Sequence, residues 1–92
     1  PPGYHVGAGH TSELPYLLDY AALAAPLNAE QLDLARTMIR MWVDFGRKKD
    51  AAEWPRYAAP ARPTVELQLP QAGGVTVSGR PYAAHNCDFW NR

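Results

Sequence analysis

The chain has 92 residues, nine basic and nine acidic, so its formal net charge is zero. An apolar fraction of 47% with three tryptophans excludes a disordered chain, which is poor in aromatics and rich in net charge. No cationic run exceeds Arg47-Lys48-Lys49 and no apolar run approaches the roughly 18 residues a membrane span needs, so neither nucleic acid nor a membrane is an expected partner.

The opening Pro1-Pro2-Gly3 has no initiator methionine and no signal-peptide pattern, and it reads as the edge of a cut piece. Ser12 is suited to cap a brief helix holding Glu13 to Leu18, with Pro15 tolerated in its first turn. The strongest local signal is a helix from about Ala29 to Arg47. Asn28 is a good N-cap and Gln31 stands three residues later, the spacing of a capping box. Glu30 at one end and Arg47, Lys48 and Lys49 at the other complement the helix dipole. Leu32, Ala35, Ile39 and Trp42 follow helical spacing, Met38 and Phe45 widen that stripe, and Asp33, Arg36, Arg40 and Asp44 mostly take the other face.

Core packing is the ordinary meaning of such a stripe. This one is broad, and little else in the chain could cover it. Trp42, Met38 or Ile39 are therefore expected to keep exposed surface.

Pro55, Pro60 and Pro63 rule out a continuous helix in the connection that follows. Thr64 to Leu69 alternates polar and apolar residues, as a half-buried strand does. Gln71-Ala72-Gly73-Gly74 supplies a turn and Val75-Thr76-Val77 the returning strand of a short hairpin. Pro81 can open a last short helix running through Tyr82, Cys87 and Trp90. The single cysteine, Cys87, has no partner for an intrachain disulfide, and no ligand spacing for a structural zinc is present. One long helix, two short helices and a short hairpin are the expected elements.

Among three histidines, His5 lies in a stretch that includes glycine and proline residues, without an acidic neighbour, and reads as a surface residue. His85, in the last helix, reads as solvated or locally hydrogen-bonded. His10 has a different context. It follows Gly7-Ala8-Gly9, where the backbone can turn sharply, and it precedes a short helix that would fix the loop from the other side.

Gly7-Ala8-Gly9-His10-Thr11-Ser12-Glu13-Leu14-Pro15-Tyr16-Leu17-Leu18 resembles the segment around the active-site histidine of type-B carboxylesterases and cholinesterases, where Gly-Ala-x-His-x-x-Glu-Leu-x-Tyr-x-Phe recurs. Met38-Ile39-Arg40-Met41-Trp42-Val43-Asp44-Phe45 is similar to the next helix of that family. Trp54-Pro55-Arg56-Tyr57 is similar to its Trp-Pro-x-Tyr element, and Cys87-Asp88-Phe89-Trp90 to its terminal Cys-x-Phe-Trp. Four motifs stand in order, spread over residues 7–90. The departures are Leu18 for phenylalanine, Gly46 for a common alanine, and Lys49-Asp50-Ala51-Ala52 where Gly-Asp-Pro-Asn often stands. They bear on loop shape and packing, not on chemistry.

The resemblance implies that residues 1–92 are the C-terminal segment of a single α/β-hydrolase catalytic domain, incomplete without the upstream parallel sheet. In that fold the triad runs serine, then acid, then histidine along the chain, and the histidine would be His10. The sequence holds no Gly-x-Ser-x-Gly elbow, and Ser12 and Ser78 stand in other contexts. The implied parent is a carboxylic ester hydrolase that works through an acyl-enzyme on a small ester, with no cofactor and no metal. By the same resemblance, Cys87 would pair with an upstream cysteine in the parent. Glu13 is expected to serve the loop scaffold and not the chemistry. Two other readings stand beside this one: a catalytically inactive esterase-like protein used for binding or adhesion, and an independent small interaction module.

Overall fold

The computed structural model describes residue 3 and residues 7–18, 26–47 and 54–91. Within them a long helix, short helices and a two-stranded antiparallel hairpin follow one another, as the sequence leads one to expect.

The first helix, α1, spans Leu14–Leu17 with Pro15 in its first turn. Its N-cap position falls on Glu13 and not on Ser12, and no side chain caps it. Backbone carbonyls take over that task. Ser12 N–H donates to Gly9 O at 3.1 Å and Leu14 N–H to Thr11 O at 3.1 Å, so two successive turns lead into the helix.

The long helix, α2, spans Ala29–Gly46, and its start is the expected capping box. Asn28 Oδ1 accepts from Gln31 N–H at 2.9 Å, and Gln31 Oε1 accepts from Asn28 N–H at 2.9 Å. Helix α1 and a 3-10 turn at Pro70–Ala72 pack against it, and the Trp54 indole N–H donates to Met41 O at 3.2 Å. The residues buried on α2 are Leu34, Ala35, Met38 and Met41, the last completely.

That face differs from the expected stripe. Leu32, Ile39 and Trp42 are 42%, 45% and 40% exposed, while Leu34 and Met41 occupy the core in their place. Met38 is buried too, and the exposed surface expected at Trp42, Met38 or Ile39 falls on Ile39 and Trp42. The cause is the width of the apolar arc. Leu32, Ile39 and Val43 line up along the helix about a third of a turn round from Met38, and the elements packed on α2 cover only the other edge of the arc.

The hairpin pairs β1 (Thr64–Leu67) with β2 (Val75–Ser78) in the register Thr64↔Ser78, Val65↔Val77, Glu66↔Thr76 and Leu67↔Val75. Strand β1 ends before the expected Leu69, because the 3-10 turn begins at Pro70 and draws the chain out of the ladder. Gly73 (φ 118°) and Gly74 (φ 69°) complete the reversal in a backbone region where a side chain is disfavoured. Gly74 N–H returns to Leu69 O at 3.1 Å.

After β2, Gly79 passes so close to the loop at residues 58–62 that a Cβ on it would stand 2.5 Å from Ala61 O. Gly79→Ala is therefore expected to cost about 1–3 kcal/mol as backbone shifts to relieve the clash, read as a lower midpoint in urea unfolding.

The single last helix expected from Pro81 is two helices, α3 (Arg80–Ala84) and α4 (Cys87–Trp90). Asn86, with φ 53°, breaks it, and asparagine is one of the few residues that enters this region readily. Among the described residues no helix is long and apolar enough to cross a membrane.

Candidate functional site

His10 is exposed at a corner of the turn formed by residues 9–12, immediately before α1. No side-chain hydrogen bond or ion pair among the described residues engages its imidazole, and no group of three or more His, Cys, Asp or Glu there could hold a metal. Glu13 is exposed and contributes the N-cap position of α1. His85 is exposed as the C-cap of α3, its N–H bonded to Pro81 O at 3.0 Å. His5 lies outside the described residues, as do Lys48 to Glu53, which include the expected departure at residues 49–52.

Two of the sequence motifs meet in space. Trp42 and Phe45 of α2 stand edge-on to Trp54, with ring centroids 5.0 Å and 6.0 Å from it. Contacts of this kind add about 0.5–1.5 kcal/mol each beyond the area they bury. The three rings border a shallow apolar hollow of about 190 Å³. The Trp54 N–H is already committed to Met41 O, so the hollow offers faces and edges of rings and little hydrogen bonding. In the fourth motif, Phe89 and Trp90 of α4 are 56% and 75% exposed and stand edge to face. Cys87 is a free, half-buried thiol.

Two polar clusters tie the second half of the chain together. In the first, Ser78 Oγ donates to Glu66 Oε2 at 3.0 Å, and the Arg80 guanidinium bonds Glu66 Oε1. The hydrogen bond from Arg80 holds the Glu66 carboxyl below its usual range; partial burial opposes this, and the Ser78 hydroxyl and the Arg80 charge reinforce it. A carboxyl whose folded-state value is lowered stabilises the fold above its ordinary value of 4.5 and loses that contribution as pH falls through the lowered value. Glu66→Gln is expected to flatten the acid side of the stability–pH curve below that point, as followed by thermal unfolding in a pH series. An unchanged acid limb would mean that the cluster does not couple to folding.

In the second cluster, the Tyr82 hydroxyl donates to Asp88 Oδ1 at 2.6 Å and links α3 to α4, while the Arg62 guanidinium lies 4.0 Å from the centre of the Tyr82 ring. The bond to Asp88 raises the phenol above its usual value and burial adds to that; Asn91 and the charge of Arg62 act against it, and the Asp88 charge again raises it. Neither cluster was singled out from sequence. The first had a signal: once Glu66 pairs with Thr76, Ser78 two residues on falls on the same face of the hairpin. The second brings Arg62 to Tyr82 from a proline-rich connection whose path no periodicity encodes.

A scan against protein-family models finds no match, and searches of curated proteins and of solved structures find none either.

Proposed function

We propose that this chain is the C-terminal segment of a serine carboxylesterase domain of the α/β-hydrolase type, with His10 as its general base. The observation that carries the reading is the motif Gly7-Ala8-Gly9-His10-Thr11-Ser12-Glu13-Leu14, with His10 exposed on the turn that enters α1. An imidazole without a side-chain partner among the described residues is available to a serine and a carboxylate brought from the preceding part of the domain. The uncovered edge of α2, with Leu32, Ile39 and Val43, supports the same reading. It has the character of a helix that rests on more than its own segment supplies.

In the proposed reaction His10 accepts the proton of the serine hydroxyl as the serine oxygen bonds to the ester carbonyl carbon. The imidazolium then gives that proton to the departing alkoxide, which leaves as alcohol and an acyl-enzyme remains. Water repeats the sequence: His10 takes its proton, and the serine oxygen leaves with the proton returned. The carboxylate holds the imidazole tautomer and stabilises its protonated form. No cofactor takes part. The substrate is a small carboxylic ester, and the pockets that select it belong to the upstream part of the domain.

The reading is tested first on the 92-residue chain itself. With neither nucleophile elbow nor oxyanion donors in the sequence, it is expected to hydrolyse an activated short-chain aryl ester no faster than an equal concentration of free imidazole. A stoichiometric burst from this chain alone would contradict the proposal, because a burst requires a covalent intermediate.

A further inference from the structure

We propose that Thr11 is a positioning residue for His10, acting through its left-handed backbone; this rests on His10 being the general base of the proposed reaction. Thr11 has φ 66°, a region in which a β-branched residue is an outlier, because its Cβ crowds the following carbonyl. The Ser12 N–H donates to Gly9 O at 3.1 Å, so residues 9–12 form a β-turn with His10 and Thr11 at its two corners. Positive φ at the second corner and not at the first is the pattern of a type II turn, which usually takes glycine or asparagine there.

The Thr11 carbonyl accepts from Leu14 N–H at 3.1 Å, and this ties the turn to α1 and thereby to α2. Thr11 is thus held on both sides in a conformation it does not favour, the situation in which strain is kept for a purpose. Glycine would satisfy the turn without crowding, as Gly73 and Gly74 do in the hairpin. What threonine adds is a narrower range of backbone angles, which fixes the direction in which His10 projects. With negative φ at residue 11 and His10 unchanged, the Ser12 N–H would leave Gly9 O; keeping that bond would require the His10–Thr11 peptide to flip as in a type I turn, and either change would swing the imidazole relative to α1.

Among the described residues the Thr11 N–H donates to no backbone carbonyl, so proline at this position reverses φ without removing a backbone hydrogen bond of residue 11 itself. The experiment compares wild type, Thr11→Pro, Thr11→Gly and His10→Ala in the protein that carries this segment. Steady-state hydrolysis of an activated short-chain aryl ester is measured, and each variant is checked by circular dichroism. Thr11→Pro is expected to lower kcat by about 100-fold with KM nearly unchanged, the mark of lost alignment. Thr11→Gly, which keeps the left-handed region but widens it, lowers kcat by less than about tenfold.

Should Thr11→Pro fail to fold, the pair Thr11→Asn and Thr11→Ala replaces it. Asparagine tolerates the left-handed backbone and should retain at least about tenfold more kcat than alanine. A folded Thr11→Pro variant with wild-type kcat overturns the positioning role, as do equal losses in proline and glycine, a loss confined to KM, or equal kcat in the asparagine and alanine variants. Those results leave His10 as the base. Wild-type turnover in His10→Ala instead removes the esterase reading and the positioning role with it.

Discussion

Replacing His10 by alanine in the proposed full-length esterase is expected to lower kcat for an activated ester by roughly 10⁴- to 10⁶-fold. The magnitude follows from the proposed role. A serine hydroxyl is a weak nucleophile until a base removes its proton, and the same imidazole must later protonate the leaving alcohol, so one substitution disables both halves of the cycle. Because the His10 side chain is exposed and makes no hydrogen bond among the described residues, its loss should leave the thermal midpoint almost unchanged. His85→Ala is the control: a side chain exposed at the end of α3 should be nearly silent in activity. Equal damage from the two substitutions would mean that the base had been assigned to the wrong histidine.

The second large effect is on stability. Met41 is the one large side chain among the described residues that is fully enclosed, and its carbonyl anchors the Trp54 indole. Met41→Ala is expected to cost about 2–5 kcal/mol, the sum of lost burial and the cavity left behind. A folded unit of this length holds only about 5–14 kcal/mol in all, so the variant should unfold at a much lower urea concentration.

Ile39→Ala gives the contrast. In the 92-residue chain this side chain is 45% exposed and its truncation should cost under about 1 kcal/mol. In the protein that carries the segment, where the proposal covers this edge of α2 with the rest of the domain, the same change should cost about 2 kcal/mol or more. Equal small costs in both would mean that the edge stays open to water.

Much of the local structure was legible in the sequence because local signals determine it. Asn28 and Gln31 announce the start of α2 by the bonds they make to each other, and Gly73-Gly74 mark the one place where the hairpin needs positive φ. The misreadings came where distant parts of the chain decide. Periodicity identified α2 as apolar but not which edge of its wide arc would be covered, since that depends on where α1 and Trp54 settle. Asn86 carries no helix-breaking signal as strong as proline, so the break between α3 and α4 was not visible. Of the candidate site, the glycines before His10 foretold an exposed turn. The left-handed backbone at Thr11 could not be foretold, because threonine is among the residues least expected there.

The most direct test of the central claim is stopped-flow hydrolysis of an activated aryl ester by the protein that carries this segment, wild type beside His10→Ala. The account predicts that wild type releases one equivalent of phenolic product in a burst and then turns over at a slower steady rate. It predicts neither phase above the imidazole background in His10→Ala. Product release that is linear from the start and no faster than that background in wild type, or a burst of undiminished rate in His10→Ala, would contradict it.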